Sequence, residues 1–104
     1  MLATTDRCPA NIRKALERRG VSVLIVGAKK GRVDMARLMK ELEKKGVLHV
    51  LCEGGGELAE SLIRAKLVDE IAVFIAPCII GGKTSVGSVG GQGWLLDAMP
   101  RLKF

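Results

Sequence analysis

The sequence predicts an α/β protein built on a mainly parallel sheet with helices on both faces. Three observations lead there. Almost wholly apolar runs recur at 21–27 (VSVLIVG), 47–52 (VLHVLC) and 70–77 (EIAVFIAP). Strands apolar on both sides belong to sheets covered on both faces. Amphipathic runs of helical period separate them. Short connections between strand and helix then favour right-handed crossovers and a parallel sheet.

The elements follow in order. Residues 2–5 read as the tail of a strand. Pro9 suits the first turn of a helix, where its missing N–H is no loss. Ile12, Ala15 and Leu16 supply the apolar face of that helix, and Gly20 closes it. Residues 21–27 form the next strand. Asp34 is the expected N-cap of a second helix. There Met35, Leu38, Met39 and Leu42 fall at i, i+3, i+4 and i+7, a single apolar stripe. Gly46 ends this helix, and residues 47–52 form a buried strand. A third, short helix carries Leu58, Leu62 and Ala65. Residues 70–77 form another buried strand, which Pro77 ends because it has no N–H for a ladder. Residues 81–93, rich in glycine, read as a mobile loop. Residues 94–104 approach one further strand.

The 104 residues are expected to form one domain, 1–104. Nearly half of them are apolar, so an ordered core is expected. Cys8, Cys52 and Cys78 form no CxxC pair, and His49 is the sole histidine, which argues against a zinc site. They read as buried or free thiols of a cytoplasmic protein, with Cys52 and Cys78 in the core. No apolar run is long enough to span a bilayer, and no signal peptide is expected. The formal net charge of +6 favours an anionic partner. Nucleic acid is not the expected one, because no stacking aromatics accompany the basic pairs.

The stretch LCEGGGELAESLI at 51–63 carries the chemistry. Gly54, Gly56 and Ala59 satisfy G-x-G-x-x-A between a strand and a helix, the setting in which that pattern holds a pyrophosphate. Glycines let the backbone approach the ligand, and the unpaired amides of a helix start face its negative charge. Two features depart from a dinucleotide fingerprint. The loop follows a late strand, and no acid stands at the end of the next one. A tight turn without ligand remains the alternative. Glu53 stands at the carboxyl end of its strand, where such sheets bind ligands. There it either accepts hydrogen bonds from a polar second ligand or pairs with a nearby lysine or arginine. No general acid or base is evident.

The run VLCEGGGELAESLIRAKLVDEIAVFIAPCIIGG, 50–82, resembles the C-terminal reductase domain of the bifunctional deaminase–reductase of riboflavin biosynthesis. Upstream, Thr4-Thr5 and the pairing of apolar 23–26 with Val33-Asp34-Met35 are similar to that family too. The resemblance implies a dihydrofolate-reductase-like, three-layer αβα fold, incomplete here because the family domain is larger. It also implies NADPH-dependent reduction of 5-amino-6-(5-phosphoribosylamino)uracil to the ribitylamino product. Carried over, Glu53 contacts substrate. Gly55, Gly56, Glu57, Leu58 and Ala59 hold the cofactor, with Ser61 near the end of that stretch. Thr4 or Thr5 touches NADPH, with Thr4 preferred. The resemblance names no catalytic residue and no metal. Lys29, Lys30 or Arg32 would meet a 2′-phosphate, on grounds of charge alone.

Missing central strands would leave apolar edges exposed, so a homodimer, or another partner, is expected. Two readings compete with the reductase of this pathway. One is a related oxidoreductase with another substrate. The other is a non-catalytic dimerisation or nucleotide-binding module.

Overall fold

The computed structural model describes residues 1–103. The chain forms two compact units, Met1–Val50 and Leu51–Phe104.

The first unit is a strand–helix–strand crossover followed by a hairpin and a helix. Strand β1 (Leu2–Thr4) and strand β2 (Val23–Ile25) pair in parallel, with Leu2 opposite Val23 and Thr4 opposite Ile25. The Leu2 amide donates to the Ser22 carbonyl at 2.8 Å and the Val26 amide to the Thr4 carbonyl at 2.7 Å. Helix α1 (Ala10–Arg18) makes the crossover and packs on β2. Pro9 stands at its N-cap, and the Pro9 carbonyl accepts from Arg13. Val26, just past β2, is 2% exposed and forms the centre of this small core.

Strands β3 (Ala28–Lys29) and β4 (Arg32–Val33) form an antiparallel hairpin. Lys30 and Gly31 make its two-residue loop, with φ of 51° and 77°. Positive φ at both positions marks the type I′ turn, whose twist matches that of the strands. The sequence reading missed this hairpin, because Lys30 stands where asparagine, aspartate or glycine usually announces such a turn. Helix α2 (Met35–Lys44) begins as expected. The Asp34 carboxylate accepts from the amides of Ala36 and Arg37 at 3.0 and 3.2 Å. Met35, Leu38, Met39 and Leu42 are its half-buried stripe.

The second unit contains helix α3 (Gly56–Arg64), where Leu62 and Glu60 are buried. Beyond it the chain runs through bends and turns.

All three helices end alike. After α1, the Gly20 amide donates to Glu17 and the Val21 amide to Leu16. Gly46 and Val47 repeat the pair on Glu43 and Leu42, and Lys66 and Leu67 repeat it on Ile63 and Leu62. This double bond pattern needs a left-handed residue after the cap. Gly20 and Gly46 supply it at no steric cost, with φ of 80° and 79°, whereas Lys66 does so at φ 55°.

The α/β class with a parallel pair stands. The strands expected at 47–52 and 70–77, and the approach expected from 94, join no ladder among the described residues. Leu48 and Leu51 are exposed, and Phe74 and Ile75 are 97% and 90% exposed. A strand apolar on both faces is buried only when ladders flank it and other layers cover it. Neither condition is met for these segments. Cys52 and Cys78 lie in them and are exposed rather than core, while Cys8 is half-buried.

Lys66→Gly is expected to stabilise the chain by about 0.5–1 kcal/mol, because it removes the left-handed penalty of an L residue. Thermal unfolding checks this. An unchanged or lower midpoint would count against strain at this helix end.

Candidate functional site

The start of α3 is where the glycine stretch takes shape. Gly55 is the N-cap, with φ −65° and ψ 168°, and no side chain caps the helix. The amides of Leu58 and Ala59 both donate to the Gly55 carbonyl, at 3.0 and 3.2 Å. A helix start has no carbonyls one turn behind for its first amides, and its dipole favours negative charge. Glu57 adds an acid in this first turn.

The three glycines differ in what they do. A Cβ on Gly54 would meet the flexible end of Leu58 at 2.6 Å. A Cβ on Gly56 would meet the Gly90 backbone nitrogen at 2.6 Å, where neither partner can yield. Gly56 is therefore required by packing. A Cβ on Gly55 would meet nothing within 4 Å, and its φ suits any residue. Nothing in the fold requires glycine at 55, and the space beside its backbone is open to a ligand.

Glu53 is exposed and makes no hydrogen bond or ion pair among the described residues. The Ser61 hydroxyl donates to the Glu57 carbonyl at 2.8 Å, one turn back. Its oxygen keeps acceptor capacity for a ligand. Leu58 is partly exposed and Ala59 half-buried. Glu53, Gly55, Gly56, Glu57, Leu58, Ala59 and Ser61 thus share one unit and one short stretch of chain. Thr4 lies in the other unit, half-buried at the end of β1. Lys29, Lys30 and Arg32 also belong to that unit, on the β3–β4 hairpin.

The far end of the glycine-rich loop is part of this site, which sequence reasoning did not foresee. Val89 and Gly90 lie against Gly56, and a Cβ on Gly90 would sit 3.3 Å from the Glu57 nitrogen. The loop expected to be mobile is therefore held at 89–93. Arg64 holds it, through bonds to Glu60 and to the Gly93 carbonyl. The i, i+4 spacing of Glu60 and Arg64 was the available signal. Among the described residues no group of three or more His, Cys, Asp or Glu is placed to hold a metal ion, and no helix is long and apolar enough to cross a membrane.

Gly56→Ala and Gly55→Ala separate packing from ligand approach. The first is expected to destabilise the chain by about 1–3 kcal/mol through overpacking against backbone. The second is expected to cost under about 1 kcal/mol, the difference between glycine and alanine as caps. Urea unfolding of both variants checks the order, and equal losses would refute it.

Comparison with known proteins places the sequence. Residues 1–104 match the family model of the RibD C-terminal domain. The chain is 33% identical over 94 residues to the 2,5-diamino-6-ribosylamino-4(3H)-pyrimidinone 5′-phosphate reductase of Aquifex aeolicus, covering 90% of this chain and 41% of that protein. It is 35% identical over 98 residues to the riboflavin biosynthesis protein RibD of Chlamydia pneumoniae, covering 94% of this chain and 26% of that protein. A reductase of the same name from Archaeoglobus fulgidus is 42% identical over 64 residues, covering 62% of this chain and 29% of that protein. The chain thus spans 26–41% of the length of these relatives.

Proposed function

From the premise that this chain belongs to the RibD C-terminal domain family, we propose that it is part of an NADPH-dependent reductase of riboflavin biosynthesis. Its substrate is a 6-ribosylaminopyrimidine 5′-phosphate, 5-amino-6-(5-phosphoribosylamino)uracil, whose ribosyl group becomes ribityl. The diaminopyrimidinone named for two relatives is the nearest alternative substrate. Family membership along residues 1–104 is the observation that carries this reading.

The nicotinamide supplies the hydride when the cofactor is bound. The chain's own residues bind and orient. The backbone from Gly55 through Gly56 and Glu57 to Ala59 lies along the cofactor's phosphates, and Leu58 adds its apolar side chain. Ser61 offers its hydroxyl oxygen near the end of that stretch. Thr4 contributes a cofactor contact from its own unit. Glu53, with no partner of its own among the described residues, accepts hydrogen bonds from amino or hydroxyl groups of the substrate. Lys29 and Lys30 are the lysines to test for preference for the 2′-phosphate. No residue of the chain is assigned as general acid or base.

The chain is read as one domain, 1–104, the C-terminal portion of a dihydrofolate-reductase-like three-layer fold. In that fold 47–52 and 70–77 become sheet strands with helices on both faces. Burying an exposed phenylalanine or isoleucine side chain is worth about 1.5–3 kcal/mol. Phe74, Ile75, Ile79 and Ile80, all nearly fully exposed, therefore favour being covered, by the rest of that fold or by a second copy; a cytoplasmic homodimer is the assembly proposed.

Calorimetric titration of the chain with NADPH and NADH is the test, followed by the NADPH-oxidation rate with each pyrimidine substrate in the intact gene product. NADPH binding that Gly55→Asp weakens by about a hundredfold, near 2.7 kcal/mol, is the expected outcome. A folded chain that dimerises and ignores both cofactors would favour a non-catalytic module instead.

A further inference from the structure

Glu60, Arg64 and Trp94 form a cluster that no part of the proposed reaction uses. Glu60 is 9% exposed although it carries a carboxylate. Arg64, one turn on, donates from Nε to Glu60 Oε1 at 2.6 Å and from Nη2 to the Gly93 carbonyl at 2.6 Å. Its guanidinium carbon lies 4.9 Å from the centroid of the Trp94 ring. One planar group thus binds the helix, the loop backbone and an aromatic face together. A lysine has no fork to make these bonds at once. Gly91 passes so close that a Cβ would lie 2.7 Å from the Glu60 carboxyl carbon, and its φ of 77° also excludes most side chains.

The consequence lies at the other end of the loop. Residues 89–90 cross the first turn of α3, beside Gly56 and the Glu57 nitrogen. Their separation from the helix start sets the room left for an anion there. We infer that Glu60, Arg64 and Trp94 are positioning residues for the cofactor. They clamp the Val89–Gly93 segment so that its backbone forms a fixed wall of the phosphate cradle at the start of α3. The inference rests on the reading of Gly55–Ala59 as the cofactor loop. None of the three side chains contacts the cofactor in this account. They act through the loop.

The test compares the unaltered chain with Arg64→Gln, Arg64→Lys and a control, Leu38→Ala, in the stripe of α2. NADPH affinity is read by calorimetry, and opening of the loop by hydrogen exchange of the amides at 89–93. Near-ultraviolet circular dichroism of Trp94, the sole tryptophan, reports the ring's environment. Both Arg64 variants are expected to speed exchange at 89–93, alter the Trp94 signal and weaken NADPH by about tenfold, near 1.4 kcal/mol. The control is expected to lower stability while leaving affinity within about twofold, near 0.4 kcal/mol. Unchanged exchange in Arg64→Gln would overturn the clamp. Faster exchange with unchanged affinity would overturn its link to the cofactor. If Leu38→Ala weakens NADPH as much, loss of stability accounts for the effect and the inference falls. Failure of the unaltered chain to bind NADPH, with 89–93 protected, would instead remove the cofactor reading on which the inference rests.

Discussion

The close approach of the Gly90 backbone to the Gly56 backbone is the constraint on which the second unit depends. Two main chains meet where side chains normally keep them apart, so both positions exclude a Cβ that would collide or crowd. The contact fixes where the loop crosses the helix. Everything downstream follows from that crossing. Gly91 passes against Glu60, Gly93 offers its carbonyl to Arg64, and Trp94 comes under the same guanidinium. The hydrophobic contribution is small, with Leu62 as the main buried apolar side chain. Polar geometry replaces bulk here: a nearly buried carboxylate is tolerable because a charged donor satisfies it at short range.

The first unit is organised differently. Its parallel pair is joined by a helix that packs back on β2, and Val26 fills the centre. The hairpin follows directly, with the Asp34 amide donating to the Gly27 carbonyl across its base at 2.8 Å. Asp34 thereby serves twice, its backbone closing the hairpin and its side chain opening α2. The Arg37 side chain lies over Gly27, where a Cβ would only push its flexible, exposed end aside.

What was legible in the sequence sorts by range. Pro9, Gly20, Asp34 and Gly46 each act within a few residues of themselves, and each marks the helix boundary it was read to mark. The stripe of α2 was legible for the same reason, as were strands at 2–5 and 21–27 in a parallel sheet, though not which strand pairs with which. Residues 47–52 and 70–77 have the composition of buried strands, but composition does not provide a neighbour. Ladder partners are long-range, and none joins these segments among the described residues. The site divides in the same way. The open backbone at Gly55 was readable from a local pattern. The part of Gly90 and Trp94 was not, because it depends on contacts across thirty or more positions of chain. The last turn of α3 was also hidden, since Lys66 stands where a glycine would have announced it.

The tip of the β3–β4 hairpin shows that an exposed position is not always a permissive one. Lys30 faces water, and substitutions at such a place are usually near neutral. Its left-handed backbone changes this. Branched residues such as valine, isoleucine and threonine are disfavoured there on backbone grounds alone, while glycine, asparagine and aspartate suit it best. All three of those remove the positive charge. At residue 30, therefore, a better turn and a more basic tip are mutually exclusive, and sequence drift in this surface loop is narrowed by a trade that solvent exposure conceals.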